Sequence, residues 1–246
     1  MTKMPLVPWL TALAALLAPS LPARAGDAAT LEILGFSPDG RIFAFEEHGV
    51  QDGSGFPYAN RFYIDTGTDS FLAGTPIRVR LDDENATSQA ARAKARDQGQ
   101  GVIPDAVLSE NRGFMAGANA ITELSANPHS MTVNPRPVFG PIDPAVEFRL
   151  EEYAVAPPAM CEDAGETKGF RLLAVSLEPG AAVRLMHEDQ KVPASRTCPL
   201  GYSIAGVQTF YPSAGDPVVA VVIAVRSRGF EGPNHRFIAV TGKIGN

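Results

Sequence analysis

Val218-Val219-Ala220-Val221-Val222-Ile223-Ala224-Val225 decides how this chain is read. Eight apolar residues in a row are too few to cross a bilayer, which takes about 20 in a helix. They have the length of a buried strand. On either side the pattern is also extended. Tyr202–Tyr211 precedes it and Arg236–Thr241 follows, with Pro212, Gly215 and Pro217 before it and Gly229, Gly232 and Pro233 after.

Further out the same pattern recurs. Arg41–His48, Arg61–Asp65, Pro76–Leu81, Met131–Phe139, Val146–Val155, Phe170–Leu177 and Ala182–Met186 are expected strands, separated by Pro and Gly. Ser37-Pro38-Asp39-Gly40 is a tight turn with Pro and Gly where such turns want them. One helix is expected over Ala86–Gln98. It is Ala-rich, with acids in front (Asp82, Asp83, Glu84), bases behind (Arg92, Lys94, Arg96), and Gly99 and Gly101 to end it. The expectation is a mainly β chain of antiparallel sheets, in a propeller-like or sandwich arrangement, with one short exposed helix.

The first 25 residues have the layout of a secretory signal peptide: Lys3, an apolar run from Leu6 to Ala18, and the small-residue site Ala23-Arg24-Ala25. Residues 26–246 are then a single domain, outside the cytoplasm, with no transmembrane segment once the signal is removed. Trp9 is the only tryptophan, so that mature chain has none. The whole chain carries a net charge of −6, and the leader takes Lys3 and Arg24 with it. Such a charge argues against nucleic acid, which needs basic stripes, and serves solubility. The two cysteines, Cys161 and Cys198, read as a disulfide in an oxidising compartment.

Two segments echo each other. Gly55-Phe56-Pro57-Tyr58-Ala59-Asn60-Arg61-Phe62 and Gly229-Phe230-Glu231-Gly232-Pro233-Asn234-His235-Arg236-Phe237 share Gly-Phe, Asn and Arg-Phe, and each follows a strand. They read as two hairpins with structured loops. Loops on a rigid scaffold are where binding usually resides. Phe56, Tyr58, Asn60, Phe230, Asn234 and His235 are therefore the candidate binding residues; the alternative has Phe56 and Phe230 folding back as core anchors.

No catalytic or cofactor motif is present: no Gly-x-Ser-x-Gly elbow, no phosphate-cradling glycine loop, no HExxH. No cofactor and no metal site is expected. Weaker groupings are Glu46 with His48 on one strand face, His187-Glu188-Asp189, and Asp82-Asp83-Glu84. The reading is a non-enzymatic periplasmic or secreted binding module for an envelope protein or small ligand. The alternative is a periplasmic hydrolase with a site built from scattered acids and His.

Phe36-Ser37-Pro38-Asp39-Gly40 with Phe43-Ala44-Phe45 resembles a blade motif of TolB-type and WD40-like propellers. The exported start, Gly35–Glu47, the Phe56–Asp65 hairpin and the Arg236–Lys243 strand resemble a family of predicted secreted bacterial proteins, a domain of unknown function. That resemblance implies a periplasmic location and brings no activity or site residues.

Overall fold

The computed structural model describes residues 26–164 and 166–244. The leader expected over residues 1–25 lies outside them. Thirteen strands are present among the described residues. They are β1 (Thr30–Phe36), β2 (Ile42–Val50), β3 (Pro57–Asp65), β4 (Ser70–Phe71), β5 (Ile77–Arg80), β6 (Phe114–Ala118) and β7 (Ser130–Val133), then β8 (Val146–Ala154), β9 (Lys168–Ser176), β10 (Val183–Glu188), β11 (Pro199–Phe210), β12 (Val218–Arg228) and β13 (Pro233–Lys243). Two helices, α1 (Ser88–Gly99) and α2 (Asp105–Glu110), lie between β5 and β6.

All sheet pairings are antiparallel. The first sheet runs β1-β2-β3, with β4 and β5 both on the free edge of β3; the central sheet runs β13-β12-β11-β6; the outer sheet runs β10-β9-β8-β7. β12 explains the stacking. Val219, Val221, Ile223 and Val225 point into the core shared with the outer sheet, among Phe148, Leu150, Phe170 and Leu172. Val218, Ala220, Val222 and Ala224 point the other way, among Phe36, Phe43, Phe45 and Phe62 of the first sheet. Strand side chains alternate, so one apolar run supplies two cores. The face toward the first sheet alternates Val with Ala, and the small residues leave room for the rings opposite. Stacked sheets of this kind form a sandwich, not the radial blades of a propeller. The Ser37–Gly40 segment is a turn between β1 and β2, held by Ser37 Oγ donating to Asp39 and accepting from the Ile42 N–H.

The outer face of the first sheet carries the helices. Ala91, Ala95 and Gly99 form a stripe along α1 that is fully or almost fully buried on Ala44, Ala59, Tyr63, Ile77 and Val79. The expected exposed helix is therefore half-buried: its small residues let it approach closely. Its cap is Thr87, whose side chain accepts from the Ala90 N–H, and no acid stands in its first turn. Arg92 is not a solvated charge but pairs with Glu46 and Glu32. Beneath the helix Arg61 is wholly buried, 2.7 Å from Asp105 and with Nε 3.3 Å from Glu46, though not aligned to donate to it.

Several elements differ from expectation. The strand at Met131–Phe139 stops at Val133, because Pro135 and Pro137 offer no ladder N–H. β1 was hidden by a bulge between Ile33 and Gly35 that breaks its alternation. There φ at Gly35 is 135°, and an added Cβ would stand 2.0 Å from the Leu108 carbonyl oxygen of α2. α2 has six residues, too few for a helical period to show.

Candidate functional site

An open cleft of about 610 Å³ lies between the first and central sheets, closed by the connection from β10 to β11. Its floor is the inward face of β3 and β5. Tyr58 is opposite Arg80 and Asn60 is opposite Arg78 across that pair of strands, while Ile77 and Val79 turn to the helices. The second wall is edge strand β13 with the end of β12: Asn234, Arg236, Ile238, Ser227 and Arg228. The third is the turn Ser195-Arg196-Thr197 between β10 and β11. The disulfide Cys161–Cys198 ties the end of that turn to the helical turn Ala159–Ala164.

The lining holds five arginines (78, 80, 196, 228 and 236) and two carboxylates, Glu47 and Asp82. That is a cationic concavity in an acidic chain. Most of the guanidiniums are fixed by partners. Arg236 pairs with the Asp27 carboxylate and lies 4.5 Å over the Tyr58 ring, and Tyr58 itself donates to Asp27 at 3.0 Å. Arg196 is 2.6 Å from Asp189 and stacks 5.0 Å from the Phe170 ring. Arg80 pairs at 2.6 Å with exposed Asp82. Arg78 lies over Phe62 at 5.5 Å and makes no ion pair among the described residues.

Glu47 is buried at the back. One oxygen accepts from Asn60 Nδ2 at 2.9 Å, the other from the Phe237 N–H at 2.7 Å. Burial pushes its pKa up; those two bonds and nearby Arg236 and Arg78 pull it partly back. Burial also raises Tyr58. A smaller recess of about 280 Å³ shares Phe71, Ser195, Arg196 and Ile238 with the cleft and adds Asp69, His187 and Ala239. Asp69 accepts from both the N–H and the hydroxyl of Thr241, and burial raises its pKa.

Of the residues singled out from sequence, Tyr58, Asn60 and Asn234 line this cleft. Asn234 Oδ1 accepts from the Asp27 N–H at 2.8 Å, fixing the wall. Phe56 is half-buried, with Arg80 5.9 Å from its ring. Phe230 is 83 % exposed and packs over Gly53, so it is no core anchor. His235 pairs with Arg226 in the ladder, and burial lowers its pKa; it does not line the cleft. The two Gly-Phe loops touch: the Glu231 N–H donates to Asp52 at 2.7 Å. The arginines escaped sequence reading. Two signals existed: the alternation of Arg78 and Arg80 against Ile77 and Val79, which read as a strand's wet face, and the shared Arg-Phe of the echo, which holds Arg236.

The other groupings are built differently. Glu32, Glu46 and His48 bring ligand atoms within 4.8 Å of one another, yet the Arg92 guanidinium pairs with both carboxylates. His187 Nε2 donates to the Asp189 carboxylate at 2.9 Å beside Arg196. Asp82 pairs with Arg80, and Asp83 closes a local turn onto Asn85. No helix among the described residues is long and apolar enough to cross a membrane.

No curated protein and no solved structure matches the chain. Residues 44–243 match a family described as "Predicted secreted protein (DUF2259)". That span includes the cleft's arginines, its buried glutamate and both cysteines, and a disulfide accords with an extracytoplasmic home. The chain belongs to this family of predicted secreted proteins of unknown function.

Proposed function

We propose that this protein is an exported, periplasmic, single-domain binding protein, cut near Gly26, whose cleft takes an anionic ligand. The convergence of Arg78, Arg80, Arg196, Arg228 and Arg236 on one concavity carries the reading. Guanidiniums present planar donor forks to carboxylate and phosphate. Here they stand on strands and on a disulfide-tied turn, so little side-chain order has to be gained on binding. Asn60, Asn234 and Ser227 add neutral donors and acceptors, and Phe62 and Phe71 give the floor an apolar part. The ligand enters from the side where the two Gly-Phe loops meet, which retains a role for that part of the surface.

Titration of the mature protein with inorganic phosphate, succinate, citrate and a hexuronate, followed by calorimetry, tests this. Binding of at least one anion, weakened by salt and by about tenfold or more in Arg78→Gln, is expected; one charge-assisted hydrogen bond is worth roughly that. Indifference to every anion, or a preference for neutral and cationic analogues, would refute it.

A further inference from the structure

The outward edge of β13 is used rung by rung. Its odd-numbered residues turn their N–H and C=O away from β12. At His235 the chain's own N-terminal segment makes a single parallel bridge: the His235 N–H donates to the Asp27 carbonyl at 2.8 Å, and the Ala29 N–H donates to the His235 carbonyl at 3.1 Å. At Phe237 and Thr241 the N–H groups donate to the carboxylates of buried Glu47 and half-buried Asp69, each at 2.7 Å. Ala239 stands between them. Its N–H and C=O have no partner among the described residues, and it lines the recess that joins the arginine cleft. An open rung on an edge strand is a template for an extended chain.

We infer that the ligand is an extended peptide segment bearing an acidic group, which bridges Ala239 by its main chain and places its carboxylate among the cleft's arginines. The bridge at His235 shows that this edge accepts one-residue pairing. Main-chain pairing supplies affinity and the flanking pockets supply selectivity, as in other strand-addition sites. Glu47 and Asp69 occupy the rungs on either side, so the guest is limited to one paired residue. They also disfavour a second anion at Ala239 itself, which assigns the neutral main chain to the edge and the charge to Arg78 and Arg196. This inference rests on the cleft being the binding site.

The test uses the mature protein, ¹⁵N-labelled, with two probes: a pooled set of N-acetyl tetrapeptide amides with Asp or Glu at one fixed position, and succinate, which has charge but no amides. Ala239→Pro removes the N–H. Because that N–H faces away from β12, proline is compatible with the ladder there. The expected result is a shift and slowed exchange of the Ala239 amide with peptide, and about tenfold weaker peptide binding in Ala239→Pro with succinate binding unchanged. If Ala239→Pro does not fold, the exchange of the wild-type amide decides alone. Peptide that binds without touching Ala239, or no better than succinate, overturns the peptide bridge and leaves the anion cleft standing. Binding of neither probe overturns the peptide bridge, and the anion cleft falls with it when phosphate, citrate and the hexuronate are ignored as well.

Discussion

Gly99→Ala sets two effects of opposite sign against each other. Gly99 is the last residue of α1, with a backbone that alanine adopts readily. On helix propensity alone the change stabilises by about 1 kcal/mol. The packing says otherwise. A Cβ at this position would lie 2.2 Å from Tyr63 Oη and 2.5 Å from an Arg61 terminal nitrogen. Both side chains are fully buried, and Arg61 is held by Asp105 and Glu46. Neither can swing into solvent, so the helix end must lift or the ion pairs must loosen. Overpacking of this kind costs about 1–3 kcal/mol, and disturbing a buried ion pair adds to it. The net expectation is a loss of roughly 1–2 kcal/mol, or about 2–8 °C in Tm for a chain of this size. Gly101→Ala is the control, since its nearest neighbour to a new Cβ is the Gln98 carbonyl oxygen at 3.6 Å. Urea and thermal unfolding, followed by far-UV circular dichroism, read both variants. A Gly99→Ala protein as stable as the parent, or more so, would show that α1 does not seat against Arg61 and Tyr63 as described.

Three further outcomes are expected. Without reductant the denatured mature protein shows no titratable thiol, and reduction of Cys161–Cys198, a 37-residue span, lowers stability by about 4 kcal/mol on the loop-entropy model. Glu47 has its pKa raised on folding, so the folded state holds its proton longer; its contribution to stability is greatest below the unfolded value and falls as pH rises through the folded one. Glu47→Gln should therefore flatten the decline in urea midpoint across that window, and an unchanged pH profile would contradict the burial assigned to this carboxylate. Phe230→Ala should alter stability by no more than about 0.5 kcal/mol, because the ring is 83 % exposed; a loss of several kcal/mol in the same unfolding assay would restore it as an anchor.

The strands were legible where composition forces them. Val218–Val225 announces a buried strand by itself, and the Arg78/Arg80 alternation marks β5. What could not be read is which face meets which partner. One core on β12 depends on phenylalanines roughly 50–75 residues back (Phe148, Phe170) and the other on phenylalanines roughly 160–190 residues back (Phe36 to Phe62), and no local period encodes either distance. The site was half legible for the same reason. Tyr58, Asn60 and Asn234 stood out through the echo between hairpins, whereas Arg78, Arg196 and Arg228 come from three separate elements brought together only by stacking. Neighbours on a strand point to opposite faces. That rule holds here: Glu46 turns to Arg92 under the helix and Glu47 to the cleft, so one dipeptide serves two unrelated polar networks.

The seam between Asp27 and Asn234–Arg236 joins the two ends of the described chain across more than 200 residues. A polypeptide threaded through an export channel from its N-terminus presents Asp27 long before Arg236. The strands that floor both cores, β11 to β13, are the last of the described strands to emerge. Until they do, the first and outer sheets have nothing to stack on, and contacts of such long range are slow to form. Under the export proposed above, this order would delay closure until β13 has crossed, which would keep the described chain threadable on the side where it is made and let it fold on the side where its disulfide can form.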